Sequence, residues 1–236
     1  MAATLVQTKS TAKTVGSSSS PSTWTNNTTT GNFIVVMIYC DSLTANTVSG
    51  ISDSQTNTYN KIFSTTCNGV VFCTLDVWVA YNITGGTTPT ITASHGASQI
   101  TGMIHREYAG IPTTAVVDQS VSTSITALSL RMPSAATSIT TSPYELAIAC
   151  VADNNGGNTF NAANGFVQGV SLDIGTTGGC GMAQKILTGE ATENADFNAT
   201  PNTTQGVVGL ITIPAIKDNI NISKTRPYPF SPGQAR

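Results

Sequence analysis

Two stretches of the chain are apolar almost without interruption, Phe33–Cys40 and Tyr144–Ala152. Both are of strand length and end without a helical period, which predicts strands buried on both faces at the centre of a sheet. Elsewhere apolar and polar positions alternate. In Val70–Tyr81, a period of two places Val71, Cys73, Leu75, Val77, Val79 and Tyr81 on one face, and Phe72, Thr74, Asp76, Trp78 and Ala80 on the other. Tyr59–Thr65 alternates in the same way. Shorter strands are expected at Thr47–Ser52, Thr88–Ala93, Gln99–Tyr108, Ala115–Gln119, Ser124–Leu130, Ser138–Thr141, Phe166–Leu172, Cys180–Ile186 and Gly206–Ile213. Turn signals separate them: Asp53–Asn57, Asn68-Gly69, Gly85-Gly86 and the polar loop Asp153–Asn158. No stretch has a sustained helical period. Many short strands punctuated by turns predict an all-β protein, a two-sheet antiparallel β-sandwich of jelly-roll-like type with extended N- and C-terminal arms.

The same pattern divides the chain. Residues 1–30 are rich in Ser and Thr, and only Leu5–Thr8 reads as an edge strand; the rest is expected to run over a surface. Residues 31–216 form the expected sandwich domain. Residues 217–236 are a basic, Pro-rich arm. Lys217, Lys224, Arg226 and Arg236 are opposed by one acid, Asp218, and Pro227, Pro229 and Pro232 exclude a helix. Tyr228 and Phe230 lie between those prolines. The arm is expected to be held by a partner through Lys217, Lys224, Arg226, Tyr228, Phe230 and Arg236.

Composition narrows the class further. Charged residues make up 9% of the 236, against about 25% in an ordinary soluble domain. Small polar groups replace them: 39 Thr, 23 Ser, 18 Asn and 21 Gly. The net charge of −2 and pI near 5.5 speak against a nucleic-acid partner. No apolar run is long enough to span a membrane. The first residues, Met-Ala-Ala-Thr-Leu-Val-Gln-Thr-Lys-Ser, lack the basic and apolar regions of a secretory signal. A surface suited to life outside a cell, without an export signal, leads to the expectation of a virus-particle component made in a host cytoplasm.

The chemistry-bearing residues are few. The five cysteines, at 40, 67, 73, 150 and 180, include no Cys-x-x-Cys pair. Cys67 and Cys73 flank the Asn68-Gly69 turn and are candidates for a disulfide. Cys40 and Cys150 end two similar apolar strands and are expected to be neighbours in one sheet. The only histidines are His95 and His105; His105 and Glu107 share a strand face, which reads as a partly exposed face with a salt bridge. The Gly-x-Ser-x-Gly elbow of a hydrolase is missing. Asp41, Asp53, Asp76 and Asp153 lie near strand ends or loops, where turn hydrogen bonds explain them more simply than calcium. No catalytic residue, metal or cofactor is therefore expected. Exposed aromatics would mark a glycan-binding face; Trp24 and Tyr81 are the candidates, whereas Trp78 reads as core.

Four segments together resemble a known module: Gly31-Asn32 leading into Phe33–Val36, Val48–Tyr59, Val77–Gly86, and Glu107–Gly110. In order and spacing they are similar to a β-sandwich module that recurs in bacterial surface proteins and in virion proteins of tailed phages. The resemblance spans residues 31–110, brings no catalytic residues, and implies a jelly-roll-like fold with a surface or assembly role. It implies a capsid cement or decoration protein on the outer shell, with the major capsid protein and neighbouring copies as partners and a homotrimer as the assembly. The alternative is a carbohydrate-binding or adhesive module of a tail, a fibre or a bacterial surface.

Overall fold

The computed structural model describes residues 3–42, 48–67, 72–114, 116–174, 178–201 and 204–215. Among them there is no helix; fourteen strands account for the regular structure. Strands β1 (Thr4–Thr23), β2 (Phe33–Ser42), β3 (Val48–Asp53), β4 (Asn60–Cys67), β5 (Phe72–Ala80) and β6 (Thr90–Ala109) form the first sheet. Its order is β1-β6-β2-β5-β4, with β3 also paired to β6. The second sheet is β11 (Val167–Asp173), β12 (Gly179–Leu187), β9 (Glu145–Asp153), β14 (Thr204–Pro214) and β7 (Gln119–Ser129), in that order. A third, small sheet joins β10 (Thr159–Ala162), β13 (Asp196–Thr200) and β8 (Arg131–Pro133). All pairings are antiparallel.

The expected antiparallel sandwich is present, and its two apolar strands lie where continuous burial requires. β2 sits between β6 and β5, and β9 between β12 and β14. The chain builds the two sheets one after the other, crossing their interface after Ala109. The faces predicted for β5 are also observed. Cys73, Leu75, Val77 and Val79 enter the core between the sheets, with Phe33, Tyr39, Ile148, Met182 and Ile211 from the strands around them. Trp78 and Ala80 enter a second core on the outer face of the first sheet. A third core lies between the second sheet and the small one, where Phe160 meets Phe197 edge to face.

The second core explains why β1 is so much longer than Leu5–Thr8. Strands β1 and β6 pair over their whole lengths, but their register shifts between Thr14 and Ser19. Beyond that irregularity the ribbon doubles back over the sheet. The hydroxyls of Thr11 and Ser22, both on β1, lie 2.6 Å apart, whereas a straight strand would separate them by about 36 Å. Trp24, just past β1, packs its ring at 88° against His105, 4.1 Å away. The segment expected to wander over a surface is therefore the edge strand of the first sheet and the lid of a core. It was hidden from hydropathy because its inward positions are Ser20 and Ser22, buried through hydrogen bonds rather than through apolar contact.

Interlocking across the main interface relies on residues with no side chain. The ring of Phe63 (β4) occupies the space that a Cβ at Gly209 (β14) would need. The guanidinium of Arg106 (β6) lies in the same way against Gly169, at a bulge of the edge strand β11.

Candidate functional site

Both histidines lie under the doubled-back ribbon and are enclosed there. His95 Nδ1 donates to the Gly96 carbonyl at 2.7 Å, so Nε2 accepts the Ser20 hydroxyl at 2.9 Å. Ser20 Oγ is then free to accept from Thr101 Oγ1 at 2.7 Å. His105 Nε2 lies 2.8 Å from Ser22 Oγ. These are two Ser–His contacts of the kind used in nucleophilic catalysis. Yet Ser20, Ser22, His95 and His105 are all buried, and neither imidazole is oriented by a carboxylate. The pairs let a hydroxyl-rich strand cover an apolar core.

His105 and Glu107 do share a face, as expected, but that face is neither exposed nor a salt bridge. Both side chains are fully buried. Glu107 accepts from Gln7 Nε2 (2.6 Å), Asn32 Nδ2 (2.6 Å) and the backbone N–H of Thr29 (2.8 Å). It therefore ties the loop after β1 to the start of β2. On the opposite face, Arg106 is buried between the sheets. It donates to the Met182 carbonyl at 2.7 Å and more weakly to Gln184 and Tyr108, each at 3.4 Å.

The aspartates near strand ends serve turns and strands. Asp53 accepts from the N–H groups of Gln55 and Asn57, from Asn57 Nδ2 and from the Tyr59 hydroxyl. Asp76 accepts from Val48 N–H and pairs with Lys61 at 3.2 Å. Asp153 accepts from Asn158 Nδ2 and Gly179 N–H. Among the described residues no group of three or more His, Cys, Asp or Glu side chains is placed to hold a metal ion.

Cys67 and Cys73 face each other across the β4–β5 ladder as a disulfide, with Cα atoms 5.3 Å apart. Cys40 and Cys150 are not neighbours: they lie in different sheets, Cys40 in the outer core and Cys150 in the central one. Similar sequence here reflects two separate central strands. Cys40, Cys150 and Cys180 are buried free thiols, and burial raises all three, Cys40 and Cys150 to about 12. A thiol-reactive dye should thus label none of the described free cysteines in the native protein, and three per chain after unfolding without reductant. Five after unfolding without reductant would show that the disulfide is absent.

The aromatic residues are largely internal. Trp24 is 2% exposed and so cannot stack on a sugar; its expected role as a glycan contact is replaced by one in the outer core. Trp78 is core, as expected. Tyr81 is only partly buried, packed against the central core beside Phe33 at 5.1 Å. The six arm residues Lys217, Lys224, Arg226, Tyr228, Phe230 and Arg236 lie outside the described residues.

A feature missed in the sequence is a carboxyl pair at one end of the second sheet. Glu145 begins β9 and Asp118 precedes β7. Burial, with Asp118 nearby, raises Glu145 to about 7. His105 is lowered to about 3, by burial and then by the charge of Lys9. The two act oppositely on stability. Lowered His105 contributes stability that is complete above its unfolded value near 6.5 and lost as pH falls toward 3. Raised Glu145 contributes stability that is complete below its unfolded value near 4.5 and lost as pH rises through 7. Thermal midpoints should therefore rise from pH 3 to about 4.5 and level off toward neutrality. In Glu145→Gln the midpoint relative to wild type should be higher at pH 8 than at pH 4. A constant difference would contradict the assignment.

Comparisons with family models, with curated proteins and with solved structures find no match to this chain.

Proposed function

We propose that this protein is a structural component of a virus particle, a cement or decoration protein on the outer capsid of a tailed phage. The observation that carries this reading is how the polar chemistry is distributed. Both histidines, Arg106, Glu107 and Asp76 are buried and hydrogen-bonded to neighbouring strands and loops, and the three free thiols are buried in the cores. What faces solvent is mainly hydroxyls, amides and isolated apolar side chains such as Val116, Leu128 and Val167. Such a surface recognises a partner by shape and hydrogen bonding and carries little charge of its own. The likeness of residues 31–110 to the sandwich module of virion and surface proteins supports the same class.

A decoration protein gains attachment by repetition, since many weak contacts on a lattice act together. In this reading the sandwich is the rigid body and the basic residues of 217–236 engage the capsid or an adjacent copy, with a trimer as the assembling unit. Purified protein mixed with undecorated capsids should sediment with them, and a chain ending at residue 216 should do so at least tenfold less while keeping its thermal midpoint. Equal co-sedimentation of the shortened chain would remove the arm from the attachment. A glycan-binding reading retains only Tyr81 of its two candidates.

A further inference from the structure

One end of the second sheet combines acidity, exposed apolar groups and the exit of the chain. Glu145 stands between Leu187 of β12 and Pro214 of β14. The Asp118 carboxylate accepts from Thr141 N–H at 2.7 Å and Thr141 Oγ1 at 2.6 Å. Beyond β12 the chain carries Glu190, which is exposed, and Glu193, which binds Lys185 at 2.7 Å. These four carboxyl groups lie on segments at this end of the sheet, where Lys185 pairs with Glu193. Glu145 is fully buried, and its Oε2 has no hydrogen-bond partner. A depression of about 300 Å³ opens here, lined by residues 185–191 and Glu193. Around this end stand three of the large apolar side chains that remain exposed, Val116, Ile139 and Ile186. Ile139 precedes Thr140, whose N–H donates to the Ala191 carbonyl, and Val116 precedes Asp118 by two residues.

The chain leaves the sheet at the same end. Ala215 N–H donates to the Tyr144 carbonyl at 2.9 Å, and Lys217 follows two residues later. Only β9 separates β14 from β12, a distance of about 10 Å at the usual strand spacing. Residues 216–236 could span about 70 Å if extended. They bring four basic residues, one acid and the rings of Tyr228 and Phe230.

We propose that this acidic, apolar-rimmed end of the second sheet is the docking surface for the chain's own residues 217–236, bound in cis. The basic side chains pair with Asp118 and Glu190, and an aromatic ring covers the depression beside Ile186. Attachment within the chain follows from the exit point: a tether this short holds the segment at millimolar effective concentration, so each contact can be weak. The inference concerns the free chain: the virion reading gives the same basic residues to the capsid, so binding there would release the cis contact.

Zero-length carbodiimide coupling of the full chain, mapped by mass spectrometry, tests it. Lys217 or Lys224 should couple to Glu190, Asp118 or Glu193, with yields falling at least threefold in Glu190→Gln/Asp118→Asn and in about 0.5 M salt, where charges are screened. Glu190→Gln alone changes an exposed side chain and separates loss of docking from loss of folding. A mixture of isotopically light and heavy chains distinguishes the occupant. A cis contact gives no light–heavy product; light–heavy products making up about half of the total would show that a second copy fills the surface and would overturn the cis contact. Coupling to acids elsewhere, such as Asp53 or Asp173, or yields indifferent to both substitutions, would overturn the docking surface itself.

Discussion

Replacing Trp24 with alanine should cost about 3–5 kcal/mol of stability, the range for deleting a large aromatic from a core that only partly collapses. The indole is 2% exposed and closes the outer core against His105, Val36 and Trp78. In a protein of this length that loss corresponds to about 10 °C in thermal midpoint. The effect should extend to the ribbon that Trp24 anchors: amides of Ser20 and Ser22 should lose protection from hydrogen exchange more than those of β9. A change below about 1 kcal/mol would mean that the side chain is on the surface, and would return it to the glycan-binding candidates.

The second large effect is expected at Gly169. It is an exposed residue on an edge strand, where substitutions are ordinarily mild. Here a Cβ would overlap the Arg106 guanidinium, which is held between the sheets by the Met182 carbonyl. Gly169→Ala must displace that charged group within a dry interface. The expected loss is about 2–4 kcal/mol, from overpacking and a broken charge-assisted hydrogen bond. Arg106→Met removes the charge and shortens the obstruction. An apolar isostere for a buried charge is often tolerated, so the double variant should be more stable than the sum of the two single losses by at least about 1 kcal/mol. Additive losses would show that the two residues do not meet.

Both positions show what the amino-acid pattern could and could not reveal. The central strands were legible because continuous apolar runs have one solution in a sandwich, a place between two neighbours with cover on both faces. The two faces of β5 were legible because its alternation is uninterrupted and its face residues differ in kind. β1 was not, since hydropathy scores Ser20 and Ser22 as surface residues. Their burial depends on His95, Thr101 and His105, which are distant in the chain and near only because the ribbon folds over. Trp24 was assigned to the surface for the same reason: the residues around it are polar, and the core it enters is built by β2, β5 and β6. The strands of the small sheet, β8, β10 and β13, are three to five residues long, too short for a periodic signal. The carboxyl pair Asp118–Glu145 joins residues on separate strands, and nothing local distinguishes either from an ordinary strand-end acid.

The low charge of the chain acquires a more specific meaning from the structure. Several of its few ionisable groups are internal fasteners, and Asp118 and Glu190 lie at the end of the second sheet where the basic segment begins.

The most direct test of the virion role is quantitative mass spectrometry of purified phage particles from a lysate in which this chain is produced. The result predicted is that the chain co-purifies with infectious particles through a density gradient, at a fixed ratio to the major capsid protein and in at least tens of copies per particle. Its absence from those particles, with the protein found only in the soluble fraction, would contradict the virion role.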